Sequence, residues 1–140
     1  MICRTLDEGE QFWCAGNLYT MLIPRDDTQC FEAAMETIEA GHATPANAHT
    51  SFVQMYFMVA GTARVHMGGE HREIAAPAVA FVPLQTAHYV ENIGDKPLQY
   101  IYVSIWPGKI PVEDGLSWRE ASKEMIRMYD SRGCPPQRNV

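Results

Sequence analysis

Two short segments of the chain carry residue types that could bind a metal ion or a small ligand. Asn47 and His49 lie two residues apart and are followed by Gln54, whereas His88 comes much later. Residues i and i+2 of a β-strand project from the same face, so we expect Asn47 and His49 to point together into one cavity. A second strand pair would then bring His88 to the same place. The set therefore predicts a metal or ligand site inside a β-barrel.

The segments that must position these residues have the character of short β-strands. Apolar and β-branched runs are separated by turn residues such as Gly61, Gly68-Gly69 and Pro83. The predicted strands are Leu18 to Ile23, Phe31 to Ala40, Phe52 to Ala60, Ala63 to Met67, Arg72 to Ala75, Val79 to Val82, His88 to Asn92 and Leu98 to Ile105. Many short strands without intervening helical patterns indicate an antiparallel sandwich or barrel, with its core at about residues 18–106.

Only the end of the chain, at about residues 117–130, has a helical pattern. Apolar residues recur there at helical spacing, and Ser117 with Glu120 forms a Ser-x-x-Glu capping box. We expect this helix to lay Trp118 and Met125 on the outside of the sheet. It is interpreted as a packing element, with dimer contacts as the second interpretation.

The length and composition indicate one globular domain over residues 1–140. Hydrophobic residues make up 46% and charged residues 20%, which is ordinary for such a protein. The formal net charge is −6 and basic residues form no cluster, so no nucleic-acid partner is expected. The N-terminus lacks a signal-peptide pattern and no run approaches the about 18 apolar residues of a membrane span. We therefore predict a cytoplasmic protein without membrane contacts.

The cysteines and other motifs indicate no competing chemistry. Cys3, Cys14, Cys30 and Cys134 are scattered and form no Cys-x-x-Cys pair, so we expect free thiols in a reducing compartment. A disulfide that joins the termini through Cys134 has no support in the sequence. There is also no Gly-x-Ser-x-Gly elbow, phosphate-binding Gly-rich loop or His-Glu-x-x-His pair.

The two segments resemble the two conserved motifs of the cupin superfamily. The first runs Gly41, five residues, Asn47-Ala48-His49, four residues, Gln54, six residues and Gly61, and the second runs Pro83-x-Gln85-x-x-His88-x-x-x-Asn92. The family patterns are Gly-x5-His-x-His-x3–4-Glu-x6-Gly and Gly-x5-Pro-x-Gly-x2-His-x3-Asn. The resemblance runs from about Gly41 to Trp106, roughly half of the chain.

The resemblance implies an all-β, RmlC-like double-stranded β-helix of antiparallel strands, often a homodimer, to which the predicted C-terminal α-helix is added. In the family, the motif histidines and the glutamate coordinate a divalent metal, here Zn, Fe, Mn or Ni. Carried over position by position, the ligand places are Asn47, His49, Gln54 and His88. Asn47 replaces the first histidine and Gln54 replaces the glutamate. Outside the ligand set, Gln85 and Pro77 replace motif glycines.

These replacements affect the expected chemistry more than the fold. An amide ligates only through its carbonyl oxygen, weakly and without charge, so the set should bind a metal less tightly than the family's own ligands. A bound divalent ion would keep its full charge and favour an anionic partner. His49 and Gln54 lie five residues apart, so a bulge or bend must give them a shared direction.

Three functional hypotheses follow. The first is a metal-dependent enzyme that acts on a small oxygenated organic molecule through Lewis-acid chemistry, with oxygenase, isomerase, lyase and cyclase activities left open. The second is a metal-free module in which the four motif residues are polar contacts to a small molecule. The third is an interaction protein whose cavity is filled by side chains.

Other residues have two interpretations each. Tyr56 shares a strand face with Gln54 and is a catalytic candidate that orients or protonates a substrate, or else an aromatic core residue. Arg64 could anchor a carboxylate, although a solvent-facing charge is the favoured interpretation. Tyr100 and Tyr102 lie on one face of the last strand and Ile101 on the other, and the pattern leaves open which face lines the cavity.

Overall fold

The computed structural model describes residues 1–108 and 117–133 as a mostly antiparallel β structure. Its helices are a short 3₁₀ turn at Leu6–Glu8, α1 at Arg25–Thr28 and α2 at Trp118–Ser131. The strands are β1 (Glu10–Cys14), β2 (Asn17–Ile23), β3 (Phe31–Ile38), β4 (Val53–Ala60), β5 (Thr62–Met67), β6 (Glu70–Ala75), β7 (Ala78–Val82), β8 (His88–Asn92) and β9 (Leu98–Ile105).

The strands form two sheets around one apolar core. The larger sheet has the order β1-β2-β3-β9-β4-β7, and the smaller has the order β6-β5-β8. The core contains side chains from both sheets, including Ile38, Met58 and Leu98 of the larger and Val65 and Val90 of the smaller. The fold is thus the all-β antiparallel barrel with a C-terminal helix that the sequence predicts.

The alternation along β9 decides which of its faces lines the interior. Tyr100, Tyr102 and Ser104 are buried, whereas Ile105 is exposed. Directly opposed residues of neighbouring strands project from the same face. The register therefore places Glu36 beside Tyr100, and Gln54 beside Ser104, on the interior of the sheet.

Each of the eight predicted strands is present, with ends shifted by up to two residues. The sequence pattern did not predict β1 or the one-turn helix α1. β1 pairs with β2 through a tight turn at Ala15 and Gly16, both with positive φ. The segment of α1 follows Pro24 and contains two aspartates, residues that are typical of turns and give no helical pattern.

Helix α2 begins as predicted but packs differently from the prediction. The Ser117 Oγ accepts a hydrogen bond from Glu120 N, and the Glu120 carboxylate accepts one from Ser117 N, which completes the capping box. Trp118 packs near Phe12 of β1, with ring centroids 6.4 Å apart. Met125 of α2 lines an interior cavity. Trp118 and Met125 therefore pack against the interior core and not on the outside of the sheet, contrary to the prediction.

The backbone conformation of Gly61 explains why the motif has a glycine at this position. Its φ is +90°, a conformation that L side chains rarely adopt, and an added Cβ would lie 2.9 Å from Leu98 Cα. This position joins β4 to β5 against the start of β9, so only glycine fits there without moving the backbone.

Two further expectations concern the termini and the membrane. No disulfide joins the cysteines of residues 1–108 and 117–133, and Cys134 lies outside the described residues. Among the helices described, none is long and apolar enough to cross a membrane.

Candidate functional site

A cavity of about 140 Å³ lies inside the barrel beneath α2. The four motif residues Asn47, His49, Gln54 and His88 all line it, together with Tyr56. Its volume is close to that of an engineered apolar cavity, roughly 150 Å³, that binds benzene. The interior is therefore not filled by side chains, and it suits a ligand of only a few non-hydrogen atoms.

Asn47 is held by the backbone and by α2. Its N–H donates to His88 O at 3.0 Å and its carbonyl accepts from His88 N at 2.8 Å, so the two residues lie directly opposite each other. The side-chain Nδ2 donates to the Tyr129 hydroxyl at 2.9 Å, and Oδ1 accepts from Ala48 N at 2.9 Å. Asn47 thus connects the first motif to α2.

His49 reaches Gln54 because the chain bends between them. The chain bends at Thr50 and Ser51, just before β4. This bend turns the two side chains in one direction although they lie five residues apart. His49 Nε2 lies 3.1 Å from Gln54 Oε1, and the His49 ring stacks on Phe52 with centroids 4.1 Å apart. Since an amide oxygen only accepts, Nε2 is the protonated nitrogen of His49 in this contact.

Gln54 is the centre of the polar network. Its Nε2 donates to Ser104 Oγ at 3.0 Å, which fixes the amide so that Oε1 faces the other side. Oε1 then accepts from the Tyr56 hydroxyl at 2.9 Å as well as from His49. The amide that replaces the family's glutamate therefore has partners on both of its polar atoms.

His88 has one nitrogen available for a ligand. Its Nδ1 donates to Thr86 O at 2.8 Å, which leaves the lone pair on Nε2. Within the described part of the chain, Nε2 makes no hydrogen bond. The His88 ring is 4.9 Å from the His49 ring and 6.3 Å from that of Tyr56, measured between centroids.

Burial keeps both histidines neutral. Desolvation is the main cause that lowers the pKa of His49 to about 4, and the neighbouring His88 lowers it further. Desolvation also lowers the pKa of His88 below its usual value. At neutral pH the pair is therefore uncharged. Its two N–H groups are directed to Gln54 Oε1 and Thr86 O, so the lone pairs lie on His49 Nδ1 and His88 Nε2.

The arrangement does not fit a tightly held divalent metal. Nothing in residues 1–108 and 117–133 brings three His, Cys, Asp or Glu side chains into a metal-binding group. The Nε2 of His49 is protonated toward Gln54, and the amide oxygens of Gln54 and Asn47 already accept hydrogen bonds. His88 Nε2 is ready to ligate, whereas the lone pair of His49 lies on Nδ1, so in this arrangement the two Nε2 atoms do not both serve one ion.

The sequence motifs do not include Glu36, the acidic side chain buried most deeply in this cavity. Glu36 of β3 is only 4% exposed, and its cross-strand neighbours are Tyr19 of β2 and Tyr100 of β9. Its Oε2 accepts from the Tyr100 hydroxyl at 2.6 Å. Its position two residues from the buried Ala34 and Ile38 was a signal that could have revealed it.

Burial raises the pKa of the Glu36 carboxyl to about 7, although contacts with the hydroxyls of Tyr100 and Tyr19 lower it in part. Its Oε1 has no hydrogen-bond partner among the described residues. A buried polar atom without a partner costs free energy. The oxygen itself has almost no accessible surface, so a donor would reach it only after neighbouring side chains move.

The structure places Arg64 outside the cavity. Its guanidinium bonds to Glu73 at 2.8 Å and to Glu91 at 3.2 Å, and Glu91 also contacts His66 at 3.0 Å. These residues form an ion-pair group on β5, β6 and β8, where the side chains are partly exposed to solvent. The solvent-facing interpretation of Arg64 is therefore confirmed.

Comparison with known proteins agrees with this architecture. The family model described as "Cupin domain" matches residues 34–105, half of the chain. The chain therefore belongs to the cupin family. The matched range contains both motifs and Glu36. A search of curated proteins finds no match.

Solved cupin structures resemble the fold at low sequence identity. A predicted oxalate decarboxylase from Thermotoga maritima is 20% identical over 76% of this chain and 99% of its own, with a TM-score of 0.68. A Cupin 2 conserved barrel domain protein from Salinispora arenicola is 20% identical over 94% of this chain and 98% of its own, with a TM-score of 0.64. The oxalate decarboxylase of Lactobacillus farciminis, in a formate complex, is 22% identical over 74% of this chain and 32% of its own, with a TM-score of 0.64.

Proposed function

We propose that this cupin binds a small polar organic molecule in the cavity beneath α2 without a resident metal. The observation that carries the proposal is which polar atoms of the motif residues are already hydrogen-bonded. Side-chain atoms of His49, Gln54 and Asn47 bond to other protein groups, whereas His88 Nε2 keeps its lone pair. In this proposal His88 accepts a hydrogen bond from the ligand, and the other three hold the cavity in shape.

Tyr56 stays a candidate for orienting or protonating the ligand. Its hydroxyl proton is directed to Gln54 Oε1, so its oxygen can accept a hydrogen bond from a bound molecule. Burial raises the pKa of Tyr56 above its usual value, which favours the neutral phenol. We therefore propose a hydrogen-bonding role for Tyr56 and no role as a phenolate base.

His88→Ala should weaken binding of the cavity's ligand by about tenfold or more, since it removes the Nε2 acceptor that the proposal assigns to the ligand. The measurement is a ligand-observed NMR screen with small polar fragments, followed by titration of the hits into both proteins. His66→Ala is the matched control, because His66 lies on the outer ion-pair group and should leave binding unchanged. Equal affinity of wild type and His88→Ala would contradict the proposal.

A metal-dependent enzyme that acts on a small oxygenated molecule is the second candidate. The 4.9 Å separation of the His49 and His88 rings favours it, and some proteins of this fold are oxalate decarboxylases. Metal binding would require the His49 Nε2 proton to leave its contact with Gln54.

Elemental analysis of protein purified without chelators or nickel resin separates the two candidates. A stoichiometric metal that is lost in His49→Ala would favour the enzyme, whereas a trace content that His49→Ala does not change would favour the binding module.

We also propose the homodimer that the resemblance implies. Phe57 and Val59 of β4 and Val79 and Phe81 of β7 are 44 to 59% exposed on the outer face of the larger sheet. An apolar patch of this kind favours a protein contact. Light scattering should give the mass of a dimer, and Phe81→Glu should shift it toward the monomer while Leu6→Glu, at an exposed position elsewhere, does not. A monomeric wild type would contradict this proposal.

The cytoplasmic location stays a prediction.

A further inference from the structure

The cavity has a second polar end, formed by β2, β3 and β9, that neither motif includes. Glu36 occupies it, and aromatic side chains line much of the remaining cavity: Tyr19, Phe52, Tyr56, Tyr100, Tyr102 and Tyr129. A buried carboxylate beside aromatic rings is a chemical environment that suits an organic ammonium ion. The carboxylate supplies the opposite charge, and the rings attract a cation through their quadrupoles.

The charges that line the cavity support a cation over an anion. Arg25 and Glu32 also line it, but they pair with each other at 3.2 Å and leave little net charge. Apart from Glu36 and the two motif histidines, the other polar side chains that line it are uncharged amides, hydroxyls and phenols. Glu36 is then the lining acid without a basic partner among the described residues, so an anionic ligand would meet no compensating charge there.

The hydrogen-bonding capacity also points to an N–H group on the ligand. Among the residues that the structure describes, Glu36 Oε1 has no hydrogen-bond partner, and its other oxygen accepts from Tyr100. The hydroxyls of Tyr56 and Tyr100 donate their protons to Gln54 and Glu36, so each oxygen keeps a lone pair that can accept a hydrogen bond. Together with His88 Nε2, these atoms form a set that accepts hydrogen bonds and donates few.

We propose that the ligand is a small organic amine, bound as its ammonium ion beside the Glu36 carboxylate, which lines the cavity. This inference rests on the proposed binding function and names its ligand class. Glu36 is the counter-ion, and the tyrosine rings enclose the cationic group. The cavity of about 140 Å³ limits the amine to a few non-hydrogen atoms.

The test uses three probes of nearly equal shape and different charge: isobutylammonium, isobutanol and isobutyrate. Each is titrated into the isotope-labelled full-length protein, with the resonances of His88 and Tyr56 as reporters of the cavity. The ammonium ion should bind about tenfold or more tightly than the alcohol, and isobutyrate should be weakest. Glu36→Gln should reduce ammonium binding by about tenfold and leave the alcohol unchanged. Glu73→Gln removes the same charge from the outer face of β6 and should change neither.

A second measurement keeps the test decisive if Glu36→Gln does not fold. Ammonium binding to wild type should tighten as the pH rises through about 7, the pKa of buried Glu36. The other groups that face Glu36 are Tyr19 of β2, Tyr100 and Tyr102 of β9, Tyr56 of β4 and Tyr129 of α2. Burial raises the pKa of each, so they stay neutral in this range. Isobutanol binding should not change with pH.

The outcomes separate the two proposals. If the alcohol or isobutyrate binds in the cavity as tightly as the ammonium ion, or Glu36→Gln binds the amine undiminished, the amine inference is wrong and the binding function stands. If no probe moves the His88 and Tyr56 resonances and the fragment screen also gives no cavity ligand, both are wrong.

Discussion

Asn92→Ala should lower the free energy of unfolding by about 3 to 4 kcal/mol. Asn92 ends the second motif and is 1% exposed. Its Nδ2 donates to Ile38 O and to Lys96 O, each at 2.8 Å, and its Oδ1 accepts from Gly94 N at 2.9 Å. Each bond contributes about 1 kcal/mol net, and alanine would also leave buried backbone groups without partners. The motif asparagine therefore joins β8 to the end of β3 and to the turn before β9.

Urea denaturation followed by tryptophan fluorescence would measure this loss. Thr86→Ala is the control, because the Thr86 hydroxyl donates to Leu84 O at an exposed site and its removal should cost less than about 0.5 kcal/mol. A loss below 1 kcal/mol in Asn92→Ala would show that the bonds to Ile38, Lys96 and Gly94 are replaced by water or by local rearrangement.

Most strands of the barrel could be predicted from the local sequence pattern, because the alternation of side chains along a β-strand reflects which of them are buried. β9 is an example, since Tyr100 and Tyr102 are buried while Ile105 is exposed. The pattern alone could not choose the interior face of β9, because both faces carry large apolar residues. The cross-strand register settled it by placing Tyr102 opposite Tyr56 and Ala34. The position of α2 depends on tertiary contacts such as Asn47 with Tyr129, which no local pattern contains.

The candidate site was predictable to the extent that motif spacing determines position. Asn47, His49, Gln54 and His88 all line one cavity, as the two motifs predict. Their roles were less predictable, because a role depends on which polar atoms are already bonded. The partner that fixes the Gln54 amide, Ser104, is 50 residues away in sequence. Glu36 escaped the sequence interpretation because a single acid within a strand is usually a solvent-facing charge.

The polar residues of the cavity fall into two groups, those bonded to other protein groups and those that keep an unbonded polar atom. Asn47 and Gln54 bond to protein atoms and hold α2 and β4 in place. His88 and Glu36 each keep an atom without a protein partner. The substitution of the family's acid by Gln54 therefore removes one carboxylate from the cavity, while β3 supplies another at a different wall. Within the described part of the chain, Glu36 does not join His49 and His88 in a three-residue metal-binding group.

Glu36→Gln should raise the free energy of unfolding above that of wild type by about 3 kcal/mol at pH 8. Burial raises the pKa of Glu36 from 4.5 to about 7, so the folded protein disfavours the carboxylate that the unfolded chain carries freely. A difference of about 2.5 pKa units corresponds to roughly 3 kcal/mol at 1.36 kcal/mol per unit. Glutamine keeps an oxygen that accepts from Tyr100 and removes the charge.

The pH dependence has a definite sign. Between pH 4.5 and 7 the folded state holds the Glu36 proton and the unfolded state releases it, so wild type loses stability as the pH rises. Below pH 4.5 both states are protonated, and the two proteins should be equally stable. His49 has the opposite effect between about pH 4 and 6.5, because its folded pKa is lowered. His49 is present in both proteins, so its contribution cancels in their difference.

Urea denaturation of both proteins from pH 4.5 to 8 would measure that difference. It should grow from near zero to its full value by about pH 8, and Glu73→Gln, on the exposed face of β6, should show no such growth. A difference that stays constant with pH would mean that Glu36 is ionised in the folded state throughout, with water or a cation already at Oε1. A saturating small ammonium ion should reduce the advantage of Glu36→Gln at pH 8, because it binds the carboxylate of wild type and has none to bind in the variant.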